Sequence, residues 1–402
     1  MVELAAHNGL VGSSILSGPT IILININMNE WPKTFPGILP GQQNPLHENV
    51  DFWKYGIIEN GQKLIDPFLH YSSFVLGYKE TRIIDSVCDA LKKYKPEVAE
   101  TLHKGLAPRL NNPHWELAEK LYDMSGGFKS LFTLSGSDAV EAAVKLAAAY
   151  HESNGSTRDK IVGLNDGYHG TTLLTLSIGS AEFDNPHYNM QRYQSVIRLD
   201  RDFEIDDIDR SDVMCFVIET CPHNANNTGY SNDFWQKVKT LQEQGVIIII
   251  DDIFMGGGKT GKFFGWSDLP ITPDIFTMGK AITGGYFPLA IAMYNSKIDS
   301  VITDKFAWWH GHTYSFPLSG IVSMLEYLKI IEQEQILERH ENIKSRAIRY
   351  FIESGYEIVG SYGLVFTLKH NDNYTPWVVP INADDEYFEA LPNTLTKLNK
   401  KD

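Results

Sequence analysis

The chain is poor in cysteine: Cys88, Cys215 and Cys221 are the three thiols in 402 residues. Three thiols cannot close a disulfide set, and no two of them form a C-x-x-C pair, which argues against a stapled extracellular fold, a structural zinc site and a redox motif. A reducing, cytoplasmic interior is the natural compartment. Positive charge is also short. Lys and Arg number 35 against 50 Asp and Glu, a formal net charge of −15, which is the wrong sign for non-specific binding to nucleic acid or an anionic membrane. No long apolar run is unbroken: LVGSSILSGPTIILINI near the start is interrupted by Gly and Pro, and no Lys or Arg precedes Lys33, so it suits neither a signal sequence nor a bilayer span. Internal repeats and low-complexity linkers are missing as well. What remains is enough length for two domains and an ordinary globular composition, 43% hydrophobic and 21% charged.

From about residue 110 onward, the apolar β-rich runs SLFTL, KIVGLN, VMCFVIE, VIIIID, DIFTMG and LAIAMY are interleaved with helical stretches such as DAVEAAVKLAAAY and NDFWQKVKTLQEQ. Strands apolar throughout, spaced by amphipathic helices, predict an α/β fold with a mostly parallel sheet between helices. After about residue 320 the pattern becomes one long amphipathic helix, SGIVSMLEYLKIIEQEQILERHENIKSRAIRYFIES, then short strand-like pieces, as in a smaller C-terminal α+β domain. The first 60 residues read as an irregular arm, with a hairpin near GIIENGQKLIDPF. The expected division is 1–60 as the arm and part of a small domain, 61–320 as a large ligand-binding domain, and 321–402 as the small domain.

Five stretches bear on chemistry. IIIIDDIFMGGGKTG runs a strand into two acids and a glycine-rich loop. A nucleotide loop would need G-x-x-x-x-G-K-[ST], but with Gly258-Lys259-Thr260 at its end the opening position is Ile253, so the ATPase pattern fails. Asp251, at the end of an apolar strand, needs a positive partner if it is buried: either a protein cation or a protonated heteroaromatic nitrogen. In SLFTLSGSDAVEAAVKLAAAY a strand ends at Ser135-Gly136-Ser137 and a helix begins, a geometry that binds phosphate and equally suits capping by Ser137 or Asp138. NDGYHGTT offers Tyr168 as a flat face for a planar ligand or as a half-buried loop residue. In ITPDIFTMGKAITGGYFPLA, Lys280 stands in uncharged surroundings that would favour its free amine as a nucleophile; the alternative is a lysine that snorkels to the surface. His310 and His312 in AWWHGHTYSFPLSG lack a third ligand for a metal.

The order S-G-S-D-A, G-Y-H-G, I-E-T, D-D-I-x-x-G-x-G-K-T-G, P-D-I-x-x-x-G-K-A-I-x-G-G-Y and H-G-H-T-Y resembles the class III, or omega-amino-acid type, aminotransferases that use pyridoxal 5′-phosphate, over about residues 60 to 320. The resemblance implies the fold type I architecture of pyridoxal-phosphate-dependent transferases, and a reaction between a small-molecule amine donor and a carbonyl acceptor in two half-reactions. Lys280 would hold the cofactor covalently and shuttle a proton, and Asp251 would pair with the pyridine nitrogen. Gly136 and Ser137 would bind the phosphate, with Tyr168 and Ile253 on the two ring faces and His169 and Glu219 close by. Thr313 would reach the phosphate of a neighbouring subunit, which implies a homodimer with sites at the subunit interface. The alternatives are a glutamate-1-semialdehyde-type aminomutase and a non-catalytic relative. Asp252, Gly257, Lys259 and Thr220 depart from the family pattern, which has glutamate, a bulkier residue, arginine and proline. Residues 350–402 contain no arginine to hold a substrate carboxylate.

Overall fold

Asn60 and Gly61, both at positive φ (+49° and +76°), close the expected hairpin. It belongs to a three-stranded antiparallel sheet of β1 (Asp51–Trp53), β2 (Gly56–Glu59) and β3 (Gln62–Ile65). An Asn-Gly pair fits the left-handed positions of such a two-residue turn. The computed structural model describes residues 51–94, 112–179, 195–222, 226–305 and 310–399; most of the N-terminal arm lies outside them.

Among the described residues the central sheet has seven strands: β4 (Lys129–Thr133), β5 (Lys160–Leu164), β6 (Val196–Leu199), β7 (Val213–Glu219), β8 (Ile247–Asp251), β9 (Ile275–Met278) and β10 (Ala290–Tyr294), in the order β4-β10-β9-β8-β7-β5-β6. β9, β8, β7, β5 and β6 run parallel, and β10 is antiparallel to both its neighbours. The link from Met278 to Ala290 holds a short turn rather than a crossover helix, so the chain must return in the opposite sense. Among the described residues the helices are α1 (Thr81–Lys93), α2 (Asn112–Ser125), α3 (Gly136–Ser153), α4 (Leu173–Ile178), α5 (Asn232–Glu243), α6 (Ser296–Lys305), α7 (Leu318–Gln333), α8 (His340–Glu353) and α9 (Asp385–Asn399).

Period-two alternation along the buried strands sorts their side chains between two cores. Cys215, Val217, Ile247, Ile249 and Ile275 pack with the small-residue face of α3, including Ala142, Ala143 and Ala147. Phe216, Ile218, Ile248, Ile250 and Phe276 pack on the opposite side with Phe234, Trp235, Val238 and Leu241 of α5. Each large aliphatic side chain buried this way contributes about 1.5–3 kcal/mol.

The single long helix expected after residue 320 is two. The backbone turns left-handed at Gln335 (φ +49°), and a 3-10 turn at Leu337–Arg339 separates α7 from α8. Helical periodicity runs through both halves because both bury one apolar stripe, so the break leaves little trace in the pattern. Three antiparallel strands follow, β11 (Glu357–Tyr362), β12 (Val365–His370) and β13 (Asn373–Val378). The N-terminal hairpin docks on the C-terminal helix region: Lys54 Nζ lies 2.7 Å from Asp384 Oδ2, and the Ile65 N–H donates to Thr394 Oγ1 at 2.9 Å.

Candidate active site

The register of the parallel strands sets Glu219 of β7 beside Asp251 of β8, and Asp251 beside Thr277 of β9. Three polar side chains thus stand in a row at adjacent strand ends, where open α/β sheets bind ligands. Asp251 is 5% exposed, a costly setting for a carboxylate without partners. Its Oδ1 accepts the Ile253 N–H at 3.1 Å and the Thr277 hydroxyl at 3.3 Å, and its Oδ2 lies 2.9 Å from His169 Nδ1. Burial by itself would lower the His169 pKa, but the hydrogen bond and charge of Asp251, with Glu219 beyond, raise it above the ordinary histidine value. The imidazole therefore donates through Nδ1 and steadies the acid.

Lys280 follows β9 and opens the Lys280–Thr283 3-10 turn, which ends on Gly284 at φ +65°. Its own φ is +50°, a left-handed position that a non-glycine residue holds at a cost and that marks functional sites. Nζ lies 4.7 Å from the centroid of the Phe254 ring. Burial pushes the amine pKa down, against the opposing pull of Asp251 and Glu219, which favours the nucleophilic free base.

Ser135, rather than Ser137 or Asp138, caps α3: its Oγ accepts the Asp138 N–H at 3.3 Å and its carbonyl accepts the Ala139 N–H at 3.0 Å. The N–H groups of Gly136 and Ser137 find no acceptor among the described residues, and they point from the start of an 18-residue helix, an arrangement suited to a phosphate. Space there is tight: a Cβ on Gly136 would lie 2.9 Å from Ile253 Cδ1, and one on Gly170 would lie 2.0 Å from Ser137 Oγ. Tyr168 is half-buried, its N–H donates to Glu219 Oε2 at 3.0 Å, and burial followed by the charge of Asp251 raises its hydroxyl pKa.

The structure thus brings Gly136, Ser137, Tyr168, His169, Glu219, Asp251, Ile253 and Lys280 to one end of the sheet. Thr313 is exposed, on a loop whose His310 and His312 bracket Asp138, Nε2 to carboxylate, at 3.1 and 3.0 Å. These histidines hold a carboxylate, and no group of three or more His, Cys, Asp or Glu among the described residues is placed to hold a metal ion. Lys259 is fully buried, with Nζ donating to the Gly256 carbonyl at 2.6 Å, so it is unavailable to a nucleotide phosphate. Sequence reasoning missed Thr277 and Phe254, both of which sit inside apolar runs that give no polar-site signal. It also missed a left-handed turn at Leu69–Ser72 that packs against the Lys280 turn.

The class-III aminotransferase family profile matches residues 54–354. The chain is 27% identical over 318 residues to the adenosylmethionine-8-amino-7-oxononanoate aminotransferase of Staphylococcus aureus, covering 71% of this chain and 69% of that protein. It is 26% identical over 359 residues to gamma aminobutyrate transaminase 2 of Solanum lycopersicum, covering 80% and 76%. An amine transaminase structure from an uncultivated Pseudomonas species, solved in its PLP-bound form, superposes with a TM-score of 0.77 at 19% identity, covering 93% of this chain and 98% of that one. A strand-end acid, a desolvated lysine and an open helix start occur here in the fold that such transaminases share, and the chain belongs to the class-III aminotransferases.

Proposed function

We propose that this aminotransferase uses pyridoxal 5′-phosphate to move an amino group from an amine or omega-amino acid donor to a keto or aldehyde acceptor, as a homodimer in the cytoplasm. The observation that carries this reading is the placement of Asp251 and Lys280 at the ends of neighbouring strands β8 and β9, beside the open N–H groups of α3. The donor set and the available space suit the group. A buried carboxylate suits a ring nitrogen, free N–H groups at a long helix start suit a phosphate, and glycine at 136 and 170 leaves room where a Cβ would press on Ile253 and Ser137.

When bound, the protonated pyridine ring supplies an electron sink for the amino carbon. Asp251, steadied by His169, Thr277 and the Ile253 N–H, would hold the proton on the ring nitrogen. The Lys280 amine would anchor the cofactor and then, once released, take a proton from the substrate carbon and return it on the other side of the exchange. Tyr168 and Ile253 would cover the two ring faces and exclude water. Gly136 and Ser137 would hold the phosphate, with Thr313 contributed to a neighbouring subunit. In this reading residues 61–320 form the cofactor-binding unit, and residues 321–402, with part of residues 1–60, form the smaller one.

The test is a panel of amine donors added to protein loaded with pyridoxal 5′-phosphate, followed by the spectral change of bound cofactor from its aldehyde to its amine form. At least one donor should convert it, and Lys280→Ala should lose covalent retention of the cofactor. Retention unchanged in Lys280→Ala, or no conversion by any donor, refutes the proposal.

A further inference from the structure

Asp252 and Lys259 are titratable side chains, each 0% exposed, for which the reaction above has no use. Adjacent residues at the end of a strand face opposite ways, so Asp252 points away from Asp251. Its Oδ1 accepts the Thr220 hydroxyl at 2.6 Å and its Oδ2 the Gly265 N–H at 2.7 Å. Glycine makes this fit possible: a Cβ on Gly265 would lie 2.5 Å from Oδ1, and one on Gly256 would lie 2.8 Å from Oδ2. Lys259 reaches back to the Gly256 carbonyl, while its own carbonyl accepts the Leu364 N–H at 2.8 Å and lies 3.1 Å from His340 Nε2.

The loop tied down in this way backs onto the Lys280 turn. A Cβ on Gly257 would lie 3.0 Å from Ala281 Cβ, and the Gly257 carbonyl accepts the hydroxyl of the buried Tyr327 from α7. Among the described residues the buried ammonium, with three donors, meets one acceptor, and the buried carboxylate meets two neutral donors and no cation within 4 Å. Burial therefore pushes Asp252 up and Lys259 down, each partly offset by the other's charge, and Lys280 depresses Lys259 further.

We propose that Lys259 and Asp252 are positioning residues for the Lys280 amine, the lysine locking the Gly256–Gly258 loop against the Lys280–Thr283 turn and the pair placing opposed charges behind it. This rests on the reading of Lys280 as the cofactor lysine. The other charged groups acting on that amine are Asp251 of β8 and Glu219 of β7, which in turn bond His169 and the Tyr168 N–H after β5, and the Phe254 ring lies 4.7 Å from Nζ. His340 of α8, with Glu341 on its other nitrogen, meets the loop at the Lys259 carbonyl.

The experiment is a pH titration of the visible absorbance of full-length protein loaded with pyridoxal 5′-phosphate, for the parent, Lys259→Met, Lys259→Arg, Asp252→Asn and Lys280→Ala. Loss of the cation in Lys259→Met should shift the midpoint to higher pH, about threefold or more in the proton equilibrium. Loss of the anion in Asp252→Asn should shift it to lower pH, and Lys259→Arg should stay near the parent. Unchanged midpoints in both charge-removing variants, even with a lower melting temperature, overturn the inference by reducing the pair to packing. If Lys259→Met does not fold, Asp252→Asn decides alone. A parent spectrum that Lys280→Ala leaves intact refutes the cofactor-lysine reading instead, and this inference falls with it.

Discussion

The turn beside Lys280 is left-handed at four successive residues, a conformation that strains the backbone. Leu69, His70, Tyr71 and Ser72 have φ of +44°, +50°, +57° and +66°, four successive non-glycine residues in a conformation whose Cβ–carbonyl crowding costs roughly 1–2 kcal/mol each, or about 4–8 kcal/mol in all. Asp66 pins the segment by accepting the N–H groups of Phe68 and His70 at 2.9 and 3.0 Å together with the Tyr78 hydroxyl. His70 is where the strain can be relieved with least damage, because its side chain is exposed and its N–H bond to Asp66 survives substitution. His70→Gly removes about 1–2 kcal/mol of crowding, and the freer unfolded chain gives back about 0.5–1 kcal/mol. The expected net gain is about 0–1.5 kcal/mol, a rise in Tm of up to roughly 2 °C for a chain of this length. Glu119→Gly, on the exposed face of right-handed α2, should lose about 0.5–1 kcal/mol by the same glycine entropy. Thermal melts followed by circular dichroism read both. If the two variants fall together, residue 70 is not left-handed and the strain argument is wrong.

Two further outcomes follow from particular residues. Gly170→Ala, at φ +113° with its Cβ directed onto Ser137 Oγ, should weaken pyridoxal 5′-phosphate binding about tenfold or more, whereas Gly155→Ala, at φ +69° with open space around it, should cost about 1 kcal/mol of stability and leave cofactor affinity unchanged; equilibrium dialysis and urea melts check the pair. The buried His151, whose Nε2 lies 2.9 Å from the Met214 carbonyl, has its pKa lowered chiefly by burial, with Arg158 and Lys297 adding to the effect. A depressed folded-state value means the unfolded chain binds the proton more readily, so this contribution is complete above about pH 6.5 and is lost as pH falls from there through the folded value, at no more than about 1.4 kcal/mol per pH unit. His151→Gln should flatten that part of the stability profile in urea melts, and an unchanged slope would refute the assignment.

Much of the architecture could be read from the chain because β7, β8 and β9 are apolar except for Glu219, Asp251 and Thr277 at the ligand-binding end, and only a two-sided burial asks for that. The same logic singled out Asp251 and Lys280, charged residues that end apolar runs, while leaving open whether each serves a ligand or the fold. The antiparallel sense of β10 was not legible, since direction depends on how the chain returns and not on composition. Nor was the division at Gln335, which changes the backbone without changing the stripe.

Sequence by itself determined the strand positions, the strand-end acid and lysine, and the helix start that follows SLFTL, because local hydrophobic patterning and helix termini are properties of neighbours along the chain. Tertiary structure alone decided that Asp251 meets His169 and Thr277 while Asp252 faces Thr220 and Gly265, that Lys259 is enclosed, and that His310 and His312 hold Asp138. Those pairings join residues far apart in sequence, and which of two adjacent acids turns toward the site is set by strand register and by what the opposite face packs against, neither of which is encoded in any short stretch.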